Sequence, residues 1–180
     1  MRDGAARSDD GMTLVELILY SALTLLVVGG LAGVLVNTWT AQANATTVGQ
    51  ATTRGTVFTE GIEKAMRNAY AFRVTGSGST LSVWTGLGGA AVCQGYTVDG
   101  SGALRMTATA GSAVLPAAST WPVWQTGAAQ IGSTAYFTAT STAVSYSFRV
   151  TTAGAPVAFT GTETVRTSTV PASAGVNPCW

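Results

Sequence analysis

The chain contains no histidine, and only 9% of its 180 residues are charged, against about 25% in typical soluble proteins. Without imidazole, and with its two cysteines, Cys93 and Cys179, in no C-x-x-C or similar spacing, no metal site is expected. Nine Lys and Arg against eight Asp and Glu leave a net charge of +1, so no broad field exists to gather nucleic acid. Nucleic acid is therefore not an expected partner, although a small local patch stays open. Catalysis needs a proton-transfer group, an activated nucleophile or a metal. Residues 74–180 offer no His or Lys, and their acids are Asp99 and Glu163 alone. There is no G-x-S-x-G, no Walker loop and no dinucleotide fingerprint, and Gly86-Leu87-Gly88-Gly89 lacks the spacing of one. The expectation is a chain that is not an enzyme and takes no cofactor.

Apolar residues are what the chain has in quantity, at 47%, and the mean hydropathy is positive. Such a composition argues against a protein free in cytosol. Residues 1–11 are polar, with Arg2, Asp3, Arg7, Asp9 and Asp10, and show no apolar period. Residues 12–36 are then apolar apart from Glu16, and no further charge appears before Arg54. At 1.5 Å per residue this run reaches roughly 37 Å, enough to cross a hydrocarbon core of about 30 Å. A secretory signal would put its cleavage site after the apolar region, whereas the candidate site here precedes it. An ordinary membrane span gives no reason for a carboxylate in its first turn, where a charge needs a partner to be retained. The alternative is a Glu that snorkels to the interface.

Val48, Ala51, Gly55, Phe58, Ile62, Ala65, Ala69 and Phe72 recur three and four residues apart, so one stripe of a helix faces a core. Glu60, Glu63, Lys64 and Arg67 fall between them, and Glu63 with Arg67 makes an i,i+4 pair. The period predicts one helix over about residues 13–70. A coiled coil would need a stronger seam than Gly55 and three alanines provide.

Beyond residue 72, Thr, Val, Ser, Gly and aromatics predict strands and turns. Residues 71–74 and 80–84 read as a hairpin around Gly76-Ser77-Gly78-Ser79. Residues 94–98 and 103–107 read as another around Asp99-Gly100-Ser101-Gly102, since Asp-Gly is a strong turn signal. Further strands are expected over 135–140, 143–150, 157–159 and 164–167, with 111–132 as an irregular connection. The fold class expected is α+β, a long N-terminal helix on a mostly antiparallel sheet. Its segments are 1–11 as leader, 12–36 as the membrane half of the helix, 37–72 as its amphipathic half and 73–180 as a β-rich head.

Gly11-Met12-Thr13-Leu14-Val15-Glu16-Leu17 resembles the processing site of type IV prepilins and type II secretion pseudopilins. The match lies in a polar leader ending in Gly, an apolar residue, Thr-Leu-Val, Glu, and an uninterrupted apolar run. Met12 departs from the Phe most often found at that place. The resemblance implies cleavage between Gly11 and Met12 by a prepilin peptidase, and N-methylation of Met12. It also implies a filament in which Glu16 neutralises the terminal amine of a neighbouring subunit. The implied partners are other pilin or pseudopilin subunits, the peptidase, the filament assembly platform and membrane lipid. The implied location is a single-pass membrane protein with its leader on the cytoplasmic side and its head exported, at the cell surface or in the periplasm. Gly29, Gly30 and Gly33 then read either as a low-propensity stretch that unwinds during assembly, as filaments of the family do here, or as a close-packing face.

Three shorter segments resemble minor subunits, the J-type minor pseudopilins and corresponding minor pilins above all. They are Ile62-Glu63-Lys64-Ala65-Met66-Arg67-Asn68-Ala69, the hairpin of residues 95–105 and Val144-Ser145-Tyr146-Ser147-Phe148-Arg149-Val150. An amphipathic helix followed by hairpins accounts for most of them without ancestry. In an exported chain Cys93 and Cys179 read as one disulfide, with two buried thiols as the alternative. Two functions follow: a structural filament subunit, of the minor kind by these segments and priming or capping assembly, or an anchored adhesion module that holds sugar, DNA or another cell. The second would expose some of Trp84, Trp121, Trp124 and Trp180, which the first would bury.

Overall fold

A computed structural model of the protein describes residues 12–111, 113–166 and 179–180. Helix formation starts at Thr13, whose hydroxyl accepts the backbone N–H of Glu16 at 3.3 Å and so satisfies a donor that the first turn leaves unpaired. From there α1 (Leu14–Arg67) continues for 54 residues without a break. The chain falls into two units, Met1–Ala43 and Asn44–Trp180. In the first, the described residues are helical from Leu14 onward and exposed all round.

In the second unit α1 carries the stripe that the spacing predicts, with Ala51, Gly55, Phe58, Ile62 and Ala65 buried beside Thr59 and Met66. Full burial of side chains such as Phe58 and Ile62 contributes about 1.5–3 kcal/mol each. The opposite face holds the Lys64–Glu60 pair at 3.9 Å and the Arg67–Glu63 pair. Being exposed, these contribute little.

The helix stops at Arg67, before the predicted residue 70 and the segment bound at 72, and the strand expected from residue 71 starts two residues earlier, at Ala69. Asn68 is the reason. Its side-chain amide donates to the Lys64 carbonyl at 3.0 Å, and its own carbonyl accepts Gly86 N–H at 3.0 Å and the Thr85 hydroxyl at 3.1 Å. The strand ladder thus takes over the backbone at the helix end. Ala69 and Phe72 still face inward, which is why the helical count ran on through them.

Five strands follow as an antiparallel meander: β1 (Ala69–Thr75), β2 (Thr80–Thr85), β3 (Val92–Val98), β4 (Leu104–Ala110) and β5 (Val123–Gln125). A second antiparallel sheet contains β6 (Ala128–Ala129), β7 (Phe137–Ala139), β8 (Ala143–Val150) and β9 (Val157–Thr164), with β8 pairing the other three. Both predicted hairpins form. The connection expected over 111–132 contains β5 and β6, and the two strands expected near 157 and 164 are one.

Phe58 joins the layers. Its ring meets Tyr96 of the first sheet edge-on at 5.5 Å and Phe148 of the second at 5.8 Å, so this part of α1 is walled by both sheets. Phe148 in turn stacks on Phe159 at 5.2 Å. The far face of the first sheet is covered as well. Trp84 and Cys93, paired across β2 and β3, form a second buried cluster with Cys179, and Trp121 lies over Gly95.

Candidate functional site

The first turns of α1 are built around Glu16. Met12 is exposed, Thr13 caps the helix, and the Tyr20 hydroxyl reaches back one turn to a Glu16 carboxylate oxygen at 3.4 Å. Among the described residues Glu16 makes no ion pair. Neither Thr13 nor Tyr20 was singled out from the sequence, although both signals were there. Thr13-Leu14-Val15-Glu16 has the Thr-x-x-Glu form of a capping box, and Tyr20 stands at i+4 from Glu16. Gly11 lies outside the described residues, and so does one side of the expected cleavage junction.

From Leu14 onward α1 presents Leu17, Ile18, Leu23, Leu25, Leu26, Leu31 and Leu35 to the surroundings, each more than half exposed. The helix is long and apolar enough to cross a membrane. Its hydroxyl groups are satisfied along its own backbone: Ser21 donates to Ile18 O at 2.9 Å, Thr24 to Tyr20 O at 2.8 Å and Thr38 to Val34 O at 2.9 Å. Gly29, Gly30 and Gly33 are helical here, and a side chain added at any of them would meet nothing within 4 Å.

In the head, Cys93 and Cys179 are joined by a disulfide, with Cα atoms 5.4 Å apart and a sequence separation of 86. The Cys179 carbonyl accepts Leu115 N–H at 3.2 Å, and Cys179 is buried against Trp84. Trp121 donates its indole N–H to Pro116 O at 2.9 Å. Trp84 and Trp121 are only 2% and 3% exposed, so neither is a free platform for a ligand. Trp124 is at the surface but gives its indole N–H to Arg54 O at 2.9 Å.

The one acid in a predicted turn is wholly committed to that turn. Asp99 Oδ1 accepts the Ser101 hydroxyl at 2.5 Å and the N–H groups of Ser101 and Ala103, both at 2.9 Å, while Oδ2 accepts Arg105 Nε at 2.8 Å. The Ser101 hydroxyl, the Ala103 N–H and Arg105 hold its carboxyl well below the usual range. Arg105 continues to Trp121 O at 2.7 Å and so ties the hairpin to the segment covering the sheet. Glu163 behaves oppositely, because burial raises its pKa and Glu63 adds repulsion. Tyr96 is pushed up by burial and donates to Gln94 at 2.7 Å.

Several clefts open on the head. One of about 530 Å³ lies between Tyr70, Phe72, Thr140, Ser141, Thr142 and Val165, and one of about 390 Å³ lies between Gly61, Lys64, Gln94, Tyr96, Met106 and Pro122. Among the described residues, no tryptophan lines either of these two. Comparison with protein-family models, with curated proteins and with solved structures gives no match for this chain.

Proposed function

We propose that this protein is a non-catalytic structural subunit, of the minor kind, of a type IV pilus or type II secretion-like pseudopilus, acting in filament assembly or initiation. The observation that carries the reading is an exposed, all-apolar helix with a single acid in its first turn, Glu16, on a helix that later bears a buried stripe. The resemblance of residues 11–17 to a prepilin processing site supplies the rest. A prepilin peptidase cuts between Gly11 and Met12, and Met12 is N-methylated. The apolar helix holds the subunit in the membrane with its head exported until the assembly platform extracts it. In the filament, Glu16 pairs with the Met12 amine of the neighbouring subunit. The adhesion-module reading drew on displayed tryptophans, and Trp84 and Trp121 are spent on packing instead.

The test is Glu16→Ala, with processing and assembly scored separately. Removing the charge leaves the junction and the anchor in place, so mass spectrometry should still find a chain beginning at methylated Met12. The variant would enter the filament with an ammonium lacking its partner. Breaking a buried pair costs about 3–5 kcal/mol, which lowers incorporation about a hundredfold or more. Glu16→Asp should fall between. The readout is the ratio of sheared filament to membrane fraction at matched expression. Equal ratios for native and Glu16→Ala protein would overturn the assembly role, and an uncut Met1 terminus would overturn the class.

A further inference from the structure

Between Met12 and Val57 the chain has two aromatic residues, Tyr20 and Trp39. Both are on α1 and both are exposed, at 52% and 67%. They are nineteen residues apart in the sequence, which on a helix is roughly 28 Å. That matches a hydrocarbon core of about 30 Å, and Tyr and Trp gather at its two boundaries, where an apolar ring with a polar tip is best accommodated.

We propose that Tyr20 and Trp39 are interfacial anchors that fix the depth of α1, so that the segment embedded in hydrocarbon is 21–38 rather than the apolar run 12–36. The proposal rests on the membrane-anchored reading given above and adds the register to it. Three observations agree. Residues 21–38 carry no charge, and the hydroxyls of Ser21, Thr24 and Thr38 are all bonded to backbone carbonyls. The chain turns polar around Trp39, with Asn37 and Thr38 just before it and Thr40, Gln42, Asn44, Thr46 and Thr47 after it. Helical side chains lean toward the N-terminus. The Trp39 ring therefore leans from the outer boundary into the acyl region, while Tyr20 leans out of it and places its hydroxyl beside Glu16.

The shift changes the standing of two groups of residues. Glu16 comes to lie about 6 Å outside Tyr20, among headgroups and water, so its carboxylate is hydrated before assembly and is withdrawn from water only with its partner. Gly29 and Gly30 come to lie at the midplane. No water is present there to take over backbone hydrogen bonds, so this stretch stays helical in the bilayer, and any unwinding follows extraction.

The test uses the full chain in phosphatidylcholine–phosphatidylglycerol vesicles whose acyl chains are brominated either near the headgroup or near the chain end. The emission that Trp39→Phe removes reports Trp39 alone. It should be quenched more strongly by the shallow bromines, and so should a Tyr20→Trp probe in the Trp39→Phe background. A Val28→Trp probe in that background should show the reverse preference. Stronger quenching of Trp39 by the deep bromines, or by neither set in protein that floats with the vesicles, overturns the register while leaving the anchor intact. Protein that fails to float overturns the anchored reading itself, and the register with it.

Discussion

Residues 14–43 and 44–67 belong to one helix and obey opposite rules. The first stretch turns leucines and valines outward on every side, while the second hides Phe58, Ile62 and Met66 and shows Glu60, Lys64 and Arg67. Helix propensity does not separate them, since both are helical. The distribution of apolar residues around the axis does. A stripe calls for one wall, and the head provides it; an all-round apolar surface calls for an apolar medium on all sides. Low overall charge therefore has two meanings in this chain, and only the angular pattern tells them apart.

The sharpest way to test that division is to open the covalent loop in the head. Reducing Cys93–Cys179, or replacing both residues by Ser, releases a loop with a sequence separation of 86, and chain entropy puts the loss at about 4–5 kcal/mol. Urea unfolding of the full chain in detergent, followed by tryptophan emission, should show the fall as a lower midpoint, while helical circular dichroism from the first stretch persists. A midpoint that ignores reductant would mean that the buried Trp84–Cys179 cluster holds without the bond.

A smaller effect compares one substitution at two glycines. A Cβ at Gly55 would run into the Phe159 ring, whereas one at Gly33 meets nothing within 4 Å. Gly55→Ala should cost about 1–3 kcal/mol of head stability through overpacking. Gly33→Ala should leave the head midpoint unmoved and favour the helix locally by about 1 kcal/mol. Equal midpoints for the two variants would erase the distinction between walled and unwalled helix.

The smallest effect is set by pH. Because the folded Asp99 carboxyl titrates below its unfolded value, its contribution is complete above about pH 4 and is lost as pH falls further. Glu163, whose pKa is raised, contributes with the opposite sign and weakens the fold as pH rises through the carboxylate range. Asp99→Asn should therefore cost about 1 kcal/mol at neutral pH, with the gap to native protein closing in acid. A gap that stays constant with pH would assign the turn to backbone geometry alone.

The sequence was most legible where a period or a turn dipeptide repeated a physical rule. The stripe from Ala51 to Ala65 and the Asp99-Gly100 hairpin are as their spacing predicts. β5 and β6 were not legible, because short runs such as Val123–Gln125 and Ala128–Ala129 are strands only by virtue of the partners that β4 and β8 offer. β9 was read as two pieces, 157–159 and 164–167, yet the strand runs on through Gly161, which faces Tyr146 across the ladder and makes room for its ring. The disulfide was read correctly, from the cysteine count and the expectation of an exported chain. The covering of the far face of the sheet by Trp121 was not, since nothing in the run of Ala, Ser and Pro before it points to Gly95.

The Cys93–Cys179 bond has a mechanical consequence. Tension applied between α1 and Trp180 runs through β1 and β2 to Cys93, crosses the sulfur atoms and leaves by Cys179. The residues bracketed by the bond are shielded, and roughly 290 Å of contour length is withheld from extension. Under load the chain can thus extend only outside the bracket, through α1, β1 and β2, and β4 to β9 stay out of the line of tension while the bond holds.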